Sequence, residues 1–184
     1  ESGDMPIKNT SEGYGWLAKT LHWLLFLMIL GAMIGGYLDS EMADGPEKQQ
    51  AVAQHMGFGL TIILLVAFRL TWRLYNTQPT PSSELSDKET TIAKAMHYAL
   101  YALMLAQPLS GMTMVMSKGY PVSWFGVFSV PPLVPTSDAL NALAHETHEL
   151  VWILLAILAA GHAGAAMKHH FIDKNDVLKR MLNG

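Results

Sequence analysis

Residues 148–162 read HELVWILLAILAAGH, two histidines bracketing thirteen residues of which only Glu149 carries a charge. The segment is long and apolar enough to lie across a lipid bilayer as a helix, a setting in which an imidazole is costly and marks function. Successive helical positions turn by about 100°, so the fourteen steps from His148 to His162 return the side chains to within about 40° of one face, roughly 21 Å apart along the axis. One helix therefore presents two stacked imidazoles. His145 does not share their face, because seventeen steps to His162 leave the two about 100° apart.

Working outward, the chain of 184 residues is 51% hydrophobic and only 15% charged, with mean hydropathy +0.23, which places it in the membrane class. Residues 21–38, LHWLLFLMILGAMIGGYL, contain no formal charge and meet the length that spans hydrocarbon as a helix. Similar segments occupy roughly 50–72, 91–116 and 140–167, with polar residues gathered at their ends or supplied by histidine. The expected fold is an all-α membrane protein, a four-helix transmembrane up-down bundle. It forms one domain over 16–172, with an N-terminal segment at 1–15 and a tail at 173–184. The opening lacks a basic stretch followed by an apolar one, so it is not read as a secretory signal; Met5 reads as the native start, with ESGD an expression remnant.

The basic residues are divided unevenly. Lys8, Lys19, Arg69, Arg73, Lys88, Lys94, Lys168, Lys174, Lys179 and Arg180 fall on one side, and only Lys48 and Lys118 on the other, beside Asp39, Glu41, Asp44, Glu47 and Asp138. The positive-inside rule then puts both termini and the 73–90 connection in the cytoplasm. That connection, rich in Pro, Ser and Thr, reads as a surface loop ending in a helix cap. The outer connection at 117–140 carries Trp124, Phe125 and Phe128, which suit an interfacial segment lying on the membrane surface. A net charge of -3 and the absence of a basic tract give no reason to expect a nucleic-acid partner. The absence of cysteine excludes disulfides, iron–sulfur clusters, thiolate-ligated haem and covalent haem attachment through CxxCH.

Depth finds partners for the two stacked histidines. His22 and His162 each lie about two turns from the cytoplasmic end of their helices, and His55 and His148 a similar distance from the outer end. One imidazole from each of two facing helices at equal depth is what a haem held between helices needs. With both axial positions filled, such iron suits outer-sphere electron transfer and has no open site for substrate. Spacing leaves one ambiguity, since His97 lies at the inner depth too and could replace His22 or His162. Gly57 and Gly59 beside His55, and Gly161 and Gly164 beside His162, would let a macrocycle edge approach the backbone. Arg69 and Arg73, one turn apart, are candidates for haem propionates or a quinone carbonyl, with snorkelling as the plainer alternative. Met56 and Met96 are read as core filling, His169 and His170 as solvated interface residues, and Trp16, Trp23 and Trp152 as belt or packing residues.

At TLHW around His22, HMGFG from His55, FRLTWRL with Arg69 and Arg73, HYALYALMLAQPLSG from His97, WFGVF at Trp124 and HELVWILLAILAAGHAGAAMKHH from His148, the sequence resembles the bacterial cytochrome b561 family. The family is related in plan to the cytochrome b subunits of formate dehydrogenases and nickel–iron hydrogenases, and the likeness covers nearly the whole chain after Gly15. It implies two haem b groups, the inner iron held by His22 and His162 and the outer by His55 and His148, with His97 left beside them or on the quinone side. It also implies a bacterial inner-membrane protein, a quinone such as ubiquinone near the cytoplasmic haem and, in one branch, superoxide as the outer donor. The sequence departs from an anionic donor in its first outer loop, DSEMADGPEKQQ, where four acids face Lys48 alone. A protein donor or a neutral reductant suits that loop at least as well. The reading is a quinone-linked oxidoreductase of the superoxide oxidase kind, with no catalytic side chain singled out. Its rivals are the membrane anchor of a larger dehydrogenase or hydrogenase and a histidine-lined metal or proton transporter.

Overall fold

A computed structural model describes residues 6–182. Four long helices, α1 Trp16–Glu41, α2 Pro46–Tyr75, α3 Asp87–Met116 and α4 Asp138–Phe171, account for most of them, and each is long and apolar enough to cross a membrane. A short helix, α5 Val177–Leu182, closes the described chain. Each long helix runs a few residues beyond the apolar span read from the sequence, because the ends use polar chemistry. α3 begins in a capping box, Ser86 accepting from the Glu89 backbone while the Glu89 carboxylate accepts from the Ser86 N–H at 3.0 Å. α2 begins with Pro46, whose missing N–H costs nothing at a first turn. The four acidic residues of the first connection remain outside the apolar spans.

The bundle is apolar on its outer face as well as at its centre, unlike a water-soluble one. Leu27, Leu64 and Ile157, in the middle of their helices, are 63%, 61% and 62% exposed, which water would penalise and hydrocarbon does not. Its buried centre is a layer to which every long helix contributes: Leu25 from α1, Ile62 and Val66 from α2, Tyr101 and Met104 from α3, and Leu155 from α4. Leu155 stands midway between His148 and His162, so this apolar layer separates the two histidine levels.

α1 packs on α2, α2 on α3 and α3 on α4, but neither α1 nor α2 packs closely against α4. Histidines nonetheless face one another across those two gaps. The terminal end of the bundle, where α1 begins and α4 stops, is tied together by polar contacts. Asn9 joins Gly15 to Thr77, Arg180 bonds Asp176 and the Thr80 carbonyl, and Trp23 donates to the Met181 carbonyl. Trp23 is thus more than a belt residue. Just beyond α4, a hydrogen bond from Lys168 at 2.6 Å holds the Asp173 carboxyl below the usual carboxylate range, helped by His169 at 2.8 Å. His169 is correspondingly a bonded residue where a solvated one was expected.

The connection between α3 and α4 also differs from expectation. It forms an antiparallel hairpin, β1 Val122–Trp124 paired with β2 Phe128–Val130, turned through Phe125 and Gly126 at positive φ. The hairpin stands against α2. Trp124 Nε1 donates to Thr61 Oγ1 at 3.0 Å, and Phe125 covers Gly57 and meets Phe58 edge-on. Thr61 lies fifteen residues into α2, about 22 Å from its start, so the aromatic residues descend along the helix where a surface-lying segment was expected. The cause is local: Gly57 has no side chain, and a Cβ there would come within 2.7 Å of the Phe125 ring.

Candidate functional site

The imidazoles occupy two levels. Toward the terminal end, the ring centroids of His22 and His162 are 6.1 Å apart, and toward the hairpin end those of His55 and His148 are 6.4 Å apart. A first-row metal ion binding an imidazole nitrogen at about 2 Å, with each ring centre about 1.1 Å behind that nitrogen, holds two opposed rings about 6 Å apart between centroids. Both separations fit. His97 also comes to the terminal-end level, 5.4 Å from His162, closer than two rings opposed across one metal would lie.

A cavity of about 400 Å³ lies at the hairpin-end level, lined mainly by apolar side chains from all four helices, with His55, His148 and Gln107 among its polar ones. Two glycines hold the backbone close to the rings. A Cβ on Gly36 would come within 2.8 Å of His55 Cε1, and one on Gly111 within 3.0 Å of His148 Cε1. These are the glycines that admit the imidazoles, and the sequence reading missed them because each sits on a neighbouring helix. The only local signal was Gly in an apolar helix interior, where it needs a packing reason. Of the glycines that were expected to matter, Gly57 serves the hairpin and Gly59 lines the cavity, while Gly161 and Gly164 have open space or only a loose contact with Met96.

Polar partners fix the rings differently at the two levels. His148 Nδ1 lies 2.9 Å from the Gln107 carbonyl, an acceptor, so that nitrogen carries the hydrogen and Nε2 carries the lone pair. Such an Nδ1–H to carbonyl bond is the usual orienting contact of a metal-binding histidine. The Gln107 amide meets Nε2 at 3.1 Å, and Ser110 joins at Nδ1. His55 Nδ1 is buried and has no hydrogen-bond partner among the described residues. At the other level, Arg69 Nη2 lies 2.9 Å from His22 Nδ1. Guanidinium only donates, so this Nδ1 accepts and the ring hydrogen sits on Nε2. Arg69 also lies over the Tyr101 ring, 5.6 Å from its centroid.

Residues 13–184 match the family model for prokaryotic cytochrome b561. The chain belongs to this family. It is 32% identical to cytochrome b561 homolog 2 of Escherichia coli strain K12, over 97% of this chain and 95% of that one. It is 25% identical to a probable superoxide oxidase CybB of Yersinia pestis, over 92% and 95% of the two chains, and 26% identical to a cytochrome b562 of Cereibacter sphaeroides, over the same shares. Membership makes the chain a multi-pass membrane cytochrome that binds haem b and transfers electrons, and the paired imidazoles are chemically suited to that group.

Proposed function

We propose that the protein binds two haem b groups, one between His22 and His162 and one between His55 and His148, and passes electrons across a bacterial inner membrane between an outer donor and the quinone pool. The observation that carries this is the geometry of α4: its two histidines each face an imidazole of another helix at 6.1 and 6.4 Å, across gaps where the helices do not close. Haem supplies a one-electron couple when bound. The chain's residues do the rest. A haem held between two imidazoles at either level would have no open position for substrate, which favours electron transfer without bond making. The Leu25, Ile62, Val66, Tyr101, Met104 and Leu155 layer keeps water from the region between the levels. Gln107 yields Nε2 of His148 to the metal. His22 would hold the group through Nε2 only with its ring hydrogen on Nδ1, and Arg69 would then donate to another acceptor, such as a propionate. With Arg73 and His97 it forms the quinone side of the site in this reading.

Pyridine haemochrome quantitation of the purified protein tests the proposal and is expected to give two non-covalent b haems per chain. A ratio of one, or a haem-free protein that binds divalent metal, would overturn it, the second result in favour of the transporter. Copurification of a soluble subunit would identify a dehydrogenase anchor, and the acidic outer loop is the feature that favours a protein partner.

The same proposal places both termini in the cytoplasm, on the ten-to-two division of basic residues. Alkaline phosphatase fused after Gly184 is expected to be inactive and a cytoplasmic reporter active; the reverse pattern would invert the assignment of the two levels. Gly36→Val is expected to push the His55 ring aside and remove the outer haem while sparing the inner one, since its Cβ alone would sit 2.8 Å from His55 Cε1. Equal loss of both haems in that variant would indicate global misfolding.

A further inference from the structure

The two histidine levels sit in opposite electrostatic surroundings. At the terminal-end level the Arg69 guanidinium, which cannot deprotonate, lies 2.9 Å from His22 and is half-buried between helices. Arg73 follows one turn further along the same face. At the hairpin-end level the cavity that holds His55 and His148 is bordered by Asp39 and Glu149. Lys48, also on that lining, is paired with Asp44 at 3.0 Å, and His145, when charged, and Glu149 offset one another at 3.8 Å, which leaves Asp39 as the carboxylate on the cavity lining.

We infer that this asymmetry sets the direction of electron flow, with Arg69 as the residue that makes the inner site the better electron acceptor. The inference rests on the two-haem reading above. Reduction adds one negative charge at a site. A fixed positive charge within a few ångströms favours that change and a carboxylate opposes it; half-buried between helices, Arg69 is screened less than in water, and the more exposed Glu149 contributes less than Asp39. One electron therefore leaves the group between His55 and His148, which is oxidised, and reduces the group between His22 and His162. No proton moves and no bond breaks. The driving force comes from side chains that need not touch the metal. Arg69 can turn from His22 to a different acceptor without leaving the inner level, so its charge acts in either position.

Redox titration of single-haem variants tests this. His148→Ala retains the inner haem and His22→Ala the outer, so each potential is read alone, after the haem count has established that two groups are present in the unaltered protein. The inner haem is expected to be the more easily reduced by at least about tenfold in equilibrium constant, which is about 59 mV for one electron. In the His148→Ala background, Arg69→Gln is expected to remove most of that difference and Arg69→Lys to retain it. In the His22→Ala background, Asp39→Asn is expected to raise the outer potential. A merely structural role for Arg69 would alter haem content without moving the potential of the haem that remains. Equal potentials, a lower potential for the inner haem, or an Arg69→Gln protein with two haems and an unchanged inner potential would each overturn the inference. If Arg69→Gln loses the inner haem altogether, the Lys variant decides: an unshifted inner potential in Lys together with the raised outer potential in Asp39→Asn supports it, and failure of either refutes it. A haem count other than two would be a failure of the two-haem reading and not of the electrostatic one.

Discussion

His148→Ala is expected to halve the haem content of the protein and His22→Ala to remove the other half, each without disturbing the remaining group. Under the two-haem proposal two imidazoles would hold each group, and the two levels share no histidine. They lie fourteen residues, about 21 Å, apart on α4, with a packed apolar layer between them. The loss should therefore be local and nearly complete at one level, a larger effect than that of any substitution outside the four ligands. Absorbance of the dithionite-reduced protein, set against protein concentration, measures it. His97→Ala is the informative control. His97 is 5.4 Å from His162, whereas His22 is 6.1 Å away and nearer the separation of about 6 Å that opposed imidazoles on one metal require. Retention of both haems in His97→Ala is expected. Loss of the inner haem there, with His22→Ala unaffected, would make His97 and His162 the inner pair.

What the sequence revealed follows from how simply a helix in a membrane is constrained. Length and charge define each span, and a rise of about 1.5 Å per residue turns sequence position into depth. Those two facts brought His22 to the level of His162 and His55 to that of His148, and they left His97 ambiguous for a sound reason, since it does reach the same level. Depth is a one-dimensional measure. It does not say which neighbouring helix turns which face, so Gly36 and Gly111, which make room for rings on other helices, were invisible, and Gly57 was assigned to the wrong neighbour. The hairpin was missed for a related reason. Trp124, Phe125 and Phe128 have a composition that suits an interface, and only the docking surface on α2, opened by Gly57 and anchored by Thr61, draws them down the helix. Hydrogen-bond partners such as Arg69 for His22, or Gln107 for His148, bridge 47 and 41 residues and leave no local trace.

Superoxide-driven reduction of the outer haem is expected to be slow and to accelerate as salt is added. One relative bears the name of a probable superoxide oxidase, so the anion is a natural donor to test, but the approach here is acidic. Asp39 and Glu149 border the cavity, Glu41, Asp44 and Glu47 lie on or beside the connection between α1 and α2, and Lys48, which also lines the cavity, is paired with Asp44 at 3.0 Å. Lys118 is not among the residues lining that cavity. An anion must climb this potential, and salt lowers it, because the Debye length falls from about 10 Å at 0.1 M to about 3 Å at 1 M. Replacing Asp39, Glu41, Asp44 and Glu47 together by Asn or Gln should raise the rate by about tenfold at low ionic strength and flatten the salt dependence, electrostatic steering being worth about ten- to a thousandfold in association rate. Stopped-flow reduction with pulsed superoxide over a salt series measures both effects. A cationic reductant should show the opposite slope on the same protein, which separates steering by the loop from a general effect of salt on the haem. A rate near the diffusion limit that falls steeply with salt would mean that Lys48 prevails over its acidic neighbours, and the physiological donor would then be an anion.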